Sequence, residues 1–293
     1  MSITTDKVEV PDAILDNDVV GYGISSWVLR LDAVAKCYLS NEPHLREREI
    51  AVYERLTPPD AESHDAILPF YGVLDGQSVL LQFARNGSIR QYYAKQNHDT
   101  PLYTRLRWAE QITGAIIFLQ SKGILHGDIS CNNIFIDDCL NAKLGDFAGS
   151  SIDGLPFLTM YETSHSLPGT SSVPVKREIF ALGSTFYEIM TCRRPFDGMG
   201  DCEIESLFRQ GCFPDLQQVR ALGTVMSKCW NGQYGTVEDV LQDIKEERDR
   251  LSSIASKDKH TRSFSIEGFE TIVEWPLVGI VDNPQAVLRI QEQ

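Results

Sequence analysis

Ile124-Leu125-His126-Gly127-Asp128-Ile129-Ser130-Cys131-Asn132-Asn133-Ile134-Phe135-Ile136 sets a short polar loop between two apolar flanks. That pattern predicts a turn pinned to the core at both ends, with Asp128 and Asn133 held close together. A carboxylate and a carboxamide five residues apart suit a site that positions a hydroxyl and a metal ion. A second carboxylate, Asp146, follows thirteen residues after Asn133, in Leu144-Gly145-Asp146-Phe147-Ala148-Gly149.

The rest of the chain supplies enough material to bury such a loop. Its 293 residues make one large domain or two lobes, with the composition of an ordinary globular protein. The formal net charge is −14, which argues against a general nucleic-acid or anionic-membrane surface and weakly favours basic partners. Seven cysteines, an odd number with no C-x-x-C pair, point to reduced thiols in an intracellular protein. The start, Met1 to Lys7, lacks a basic head and an apolar core, so no signal peptide is expected. The longest apolar runs, such as 277–281, are too short to span a bilayer.

Residues 1–17 read as a leader. Val19 to Leu31 then reads as strand, glycine turn, strand, with Gly21 and Gly23 in the turn and Ser26 and Val28 after it. Lys36 sits on a second short strand, Ala33 to Tyr38. A helix from Leu45 to Leu56 follows a proline start at Pro43. Its apolar face carries Ile50, Tyr53 and Leu56, with Glu49 beside it and Glu47 as a rival for any inward role. Val79 to Gln82 is a buried strand with an abrupt polar end, and Thr104 to Lys122 has helical periodicity capped by Gly123.

Taken together, these stretches resemble the eukaryotic-type protein kinases. H-G-D-x-x-x-x-N at 126–133 is similar to the catalytic loop H-R-D-x-x-x-x-N, and Asp146-Phe147-Ala148 to D-F-G. Lys176 to Thr191, continuing into Arg194-Pro195-Phe196, resembles the central helix of the large lobe. The likeness covers roughly 18–250, and its nearest flavour is a group of small fungal kinase-like proteins with an HGDISCNN loop. It implies an α+β, bilobal fold: a small β-rich N-lobe at 18–84, a larger helical C-lobe at 85–250, and a C-terminal tail at 251–293.

The resemblance also implies roles. Asp128 orients the substrate hydroxyl, while Asn133 and Asp146 hold Mg²⁺. Lys36, paired with Glu49, grips the phosphates of ATP. Gly21, Gly23, Ser26 and Val28 form the phosphate loop. Leu81 is the residue at the back of the nucleotide pocket, and the backbones of Gln82 and Ala84 meet the adenine edge. The implied activity is transfer of the γ-phosphate of ATP to a protein hydroxyl, serine/threonine-directed and slow. A pseudokinase scaffold is the alternative. Small-molecule phosphotransferases, which also carry H-G-D loops, are a third.

The departures weigh on activity. Gly127 replaces the arginine that receives an activation-loop phosphate, so phosphorylation at Ser150, Ser151, Thr159 or Thr163 is not expected to switch the protein on. Ser130 and Asn132 stand where kinases place a phosphate-facing cation, although the similar loop of RIO-type kinases works without that lysine. Ala148 replaces a glycine, and Glu178 an aspartate that anchors the catalytic loop. Thr159-Met160-Tyr161-Glu162 is a poor match to A-P-E, and the arginine that pairs with that glutamate is expected to be missing, with Tyr234 in its region. The apolar-rich tail at 269–278 reads either as packed on the domain or as a partner-docking segment.

Overall fold

The computed structural model describes residues 19–22, 26–58, 63–95, 100–169 and 173–263. The leader, Gly23 and the apolar tail therefore lie outside the described residues. Two antiparallel ladders build the N-lobe. β1 (Val19–Tyr22) pairs with β2 (Trp27–Leu29), setting Gly21 opposite Val28. The second ladder has the order β3-β5-β4, from β3 (Ala33–Cys37), β4 (Phe70–Leu74) and β5 (Ser78–Gln82). Val79 and Leu81 alternate inward along β5 and are buried, as a sheet with one covered face requires. The cover is α1 (Pro43–Leu56), which begins at the predicted proline and packs Val52, Tyr53 and Leu56 into the core.

The chain then enters a helical C-lobe. α2 (Ile89–Lys95) leads to α3 (Leu102–Ser121), which delivers the chain to the loop at 126–133 through Gly123 at φ +73°. Two short ladders frame that loop. β6 (Ile124–Leu125) pairs with β9 (Ser151–Ile152), and β7 (Ile134–Ile136) with β8 (Ala142–Leu144). The apolar flanks of the opening stretch are thus β6 and β7, both pinned antiparallel.

α4 (Pro174–Thr191) is buried along most of its length, polar residues such as Glu178 and Glu188 included, the signature of a central helix. It lies so close to α6 (Gly223–Trp230) that a Cβ on Gly183 would sit 2.6 Å from Cys229 Cβ. Trp230 Nε1 donates to Ser184 Oγ at 3.1 Å across the same contact. α5 (Asp201–Arg209) and α7 (Val237–Ser263) complete the set. The fold is α+β and bilobal, a small antiparallel lobe beside a larger helical one.

Residue contacts divide the chain into one unit ending at Leu251 and a second from Ser252. Within the second, the described residues 252–263 are helical. The sequence becomes polar from Ser252 without ending the helix. Polar residues of adequate helix propensity carry no stop signal by themselves.

Candidate active site

His126 shows how the loop is fastened. Its ring is buried, Nδ1 accepts from the Asp128 N–H at 3.2 Å, and Nε2 donates to the Gly145 carbonyl at 3.1 Å. Burial lowers its pKa, so it stands as a neutral imidazole with both nitrogens engaged. His126, Phe147, Tyr53 and Phe70 form a continuous column of rings with centroids 5.4, 5.0 and 5.0 Å apart. This is the packing expected of a structural histidine, and it joins the loop to α1 and β4.

Asp128 and Asn133 meet as the spacing predicts. Asn133 Nδ2 donates to the Asp128 carbonyl at 2.8 Å and to Asp128 Oδ2 at 2.9 Å. Asp128 Oδ1 is buried and has no hydrogen-bond partner among the described residues. Burial pushes the Asp128 carboxyl up to about 6; Glu162 and Asp146 add to the rise, while Asn133 and Arg90 oppose it.

The second cluster forms around Lys36. Its ammonium lies 2.7 Å from Glu49 Oε2 and 2.8 Å from Asp146 Oδ1. Burial works against the Lys36 charge, but the two carboxylates outweigh it and raise its pKa. Burial likewise pushes up the Asp146 carboxyl, yet Lys36 overcomes it and the net shift is downward. Burial pushes the Glu49 carboxyl upward and Lys36 pulls it part of the way back. Glu49 Oε1 accepts from the Phe147 N–H at 3.1 Å, and Oε2 also meets the Tyr38 hydroxyl. Glu49, not Glu47, is the inward carboxylate.

The two clusters are adjacent, because the Gly145 N–H donates to the Asn133 carbonyl at 3.0 Å. Asp146 takes φ +63°, a left-handed conformation that aspartate tolerates better than most residues. Ala148 has no positive φ, so a methyl group costs nothing where the resembling motif has glycine. Leu81 is buried opposite Val34, and Ala84 is buried just beyond. The Gln82 N–H is committed to the Pro69 carbonyl at 2.9 Å. Gly21 and Val28 stand on the separate β1–β2 ladder and Ser26 just before β2, and among the described residues no hydrogen bond joins them to the Lys36 cluster.

Glu178 anchors the loop despite its extra methylene: Oε1 accepts from the Gly127 N–H at 3.1 Å and the Tyr161 hydroxyl at 3.3 Å. Glu162 does have an arginine, but it comes from α2, not from the region of Tyr234. Arg90 Nη1 lies 2.5 Å from Glu162 Oε1, and Arg90 Nε lies 2.5 Å from Glu188 Oε1. No spacing rule ties position 90 to position 162; only the fold brings them together. Tyr234 instead donates to Asp243 Oδ2 at 2.6 Å. The hydroxyls of Ser150 and Ser151 are buried and bonded to the carbonyls of His126 and Leu155, at 2.9 and 2.6 Å.

Comparisons with known proteins agree with this architecture. A family model described as protein tyrosine and serine/threonine kinase matches residues 38–153, which include Glu49, Asp128, Asn133 and Asp146. A putative serine/threonine-protein kinase/receptor of Acanthamoeba polyphaga mimivirus is 22% identical over 57% of this chain and 11% of its own length. A probable serine/threonine-protein kinase of Dictyostelium discoideum is 25% identical over 68% of this chain and 13% of its own. A serine/threonine-protein kinase-like protein of Arabidopsis thaliana is 28% identical over 46% of this chain and 42% of its own. The chain thus spans less than half the length of these relatives. The family model and these relatives support a likeness to the eukaryotic protein kinase-like superfamily. Among the described residues, no helix is long and apolar enough to cross a membrane.

Proposed function

We propose that this chain is an ATP-dependent protein kinase directed to serine or threonine hydroxyls. The observation that carries the proposal is the double engagement of Lys36 with Glu49 and Asp146, beside an Asp128 held by Asn133. Lysine, carboxylates and carboxamide are the donor set that nucleotide phosphates and a hard cation need. The residues fit such a group. Asn133 spends its Nδ2 on Asp128, and its Oδ1, which accepts only a long 3.4 Å bond from Asn132 Nδ2, would face a metal together with the Asp146 carboxylate. Bound there, ATP supplies the γ-phosphoryl group and Mg²⁺ neutralises its charge.

The side chains divide the work. Lys36 holds the phosphate end, and Glu49 keeps Lys36 in place. Leu81 closes the back of the pocket, while Gln82 and Ala84 offer main-chain atoms to the adenine edge. Gly21, Ser26 and Val28 would cover the phosphates. Asp128 orients the acceptor hydroxyl through its unpartnered Oδ1 and takes its proton. The acceptor is a protein, and the acidic balance of the chain favours a basic one.

Ser130 tempers the rate. Its side chain is buried and donates to Glu162 Oε1 at 3.3 Å, so no cation from the catalytic loop faces the phosphate. That feature favours slow turnover and is what supports the alternative, a pseudokinase scaffold that binds ATP weakly or not at all. The test is a thermal-shift titration with ATP and Mg²⁺, followed by γ-phosphate transfer to a basic protein. A shift with transfer is expected, with transfer reduced about 10²–10⁴-fold in Asp128→Asn while the shift persists. A shift without transfer would leave the scaffold, and no shift would remove the kinase reading and leave a scaffold that does not bind ATP.

A further inference from the structure

We propose that Arg90 is a positioning residue for the acceptor side of this site, clamping the segment that ends at Glu162 onto the catalytic loop and α4; this rests on the phosphotransfer function above. Arg90 stands in the first turn of α2, where its own N–H donates to the Cys131 carbonyl at 3.4 Å. Its guanidinium makes four hydrogen bonds. Nη1 and Nη2 reach Glu162 at 2.5 and 2.9 Å, and Nε and Nη2 reach Glu188 at 2.5 and 2.9 Å. Glu188 is 3% exposed, so its charge is buried with Arg90 as its principal partner.

The same network reaches the catalytic loop and the segment from both sides. Ser130 donates to Glu162, tying the loop to the cluster. His165 Nε2 lies 3.6 Å from Glu188 Oε2, and its Nδ1 meets Ser164 Oγ at 3.0 Å. One arginine therefore links α2, α4, the catalytic loop and the residues from Glu162 to His165. A cavity of about 370 Å³ opens beside it, with Tyr161, Thr163, Arg194, Phe196 and Asp201 in its wall. Glu162 is part of this wall and accepts from Ser130, two residues from Asp128, so the shape of the wall beside the catalytic loop depends on where Glu162 is held.

Arg90 does not serve as a phosphate-facing cation. Its side chain has five N–H groups, and both of its bonding edges are already taken by carboxylates. A planar fork that meets two carboxylates at once is what a lysine cannot reproduce.

The experiment uses the full chain with Arg90→Gln, Arg90→Lys and the double variant Arg90→Met/Glu188→Met. The double variant removes the buried Glu188 together with its arginine, and Glu162, a quarter exposed, keeps Arg194 at 4.0 Å, so no fully buried charge is orphaned. Two readouts are taken: amide exchange at 160–166, and kcat and KM for a basic protein acceptor alongside the ATP-induced thermal shift. Expected are at least tenfold faster exchange in that segment and a tenfold or greater loss of kcat/KM for the acceptor. The ATP shift should stay unchanged, and Arg90→Lys should restore less than half of the loss. Unchanged exchange and kcat/KM within twofold in the folded double variant would overturn the proposal, as would equal loss of the ATP shift. If the wild type transfers no phosphate, the exchange readout still decides the clamp, and phosphotransfer alone fails.

Discussion

Gly127 has φ +82°, and a Cβ built on it would lie 2.4 Å from Phe157 Cδ1. The missing arginine and the ring of Phe157 are therefore one feature. Where a phosphate-receiving side chain would stand, an apolar ring packs against bare backbone, and the segment is held without a phosphate. The buried hydroxyls of Ser150 and Ser151 fit the same picture. Gly127→Arg must strain the backbone and expel Phe157. A loss of about 2–4 kcal/mol is expected in urea denaturation, since a left-handed L-residue costs roughly 1–2 kcal/mol before any clash. A variant as stable as the wild type would contradict this packing. The glycine was visible in the sequence as a substitution; its φ and its covering ring were not, because Phe157 is distant in the chain.

At the scale of elements, α1 must be held inward for Glu49 to reach Lys36. Arg48, its neighbour on the helix, donates to the Ser150 and Pro156 carbonyls, at 3.0 Å for the latter. Arg55 at the far end pairs with Asp153 through two bonds of 3.0 and 2.8 Å. The helix is thus stapled to the segment after Asp146 by neutral carbonyls and one carboxylate. Arg48→Met removes charged hydrogen bonds worth about 1–3 kcal/mol. Amide exchange at 150–158 should accelerate while α4 stays protected; equal acceleration in both would mean a global loss instead. Helix starts and buried strands were legible from proline, glycine and apolar period. The extent of α7 was not, since polar sequence at its end is compatible with helix or turn.

Across the whole molecule, buried ionisable groups link folding to pH. His126 and His165 are buried and neutral, and burial lowers the His165 pKa to about 3 from an ordinary 6.5. A depressed folded-state pKa gives stability that is present above the unfolded value and lost as pH falls. The His165 contribution therefore declines between about pH 6.5 and 3, on the order of 1.4 kcal/mol per pH unit. Burial raises Glu49, Glu178 and Glu188, which act in the opposite sense. The difference between wild type and His165→Gln isolates the histidine. Denaturation from pH 7 to 4 should show the variant losing stability less steeply; parallel curves would remove His165 from the balance.

The sequence by itself determined that Asp128 and Asn133 meet, through apolar flanks, a turn and a fixed spacing; its resemblance to the kinases implied the two-lobe plan and added Lys36, Glu49 and Asp146 as residues to bring together. Only the tertiary structure decided how the loop is supported. Arg90 on Glu162 and Glu188, Phe157 on Gly127, and Arg48 on distant carbonyls are contacts between segments that no periodicity connects. They depend on where close packing leaves a buried charge or a bare backbone in need of a partner.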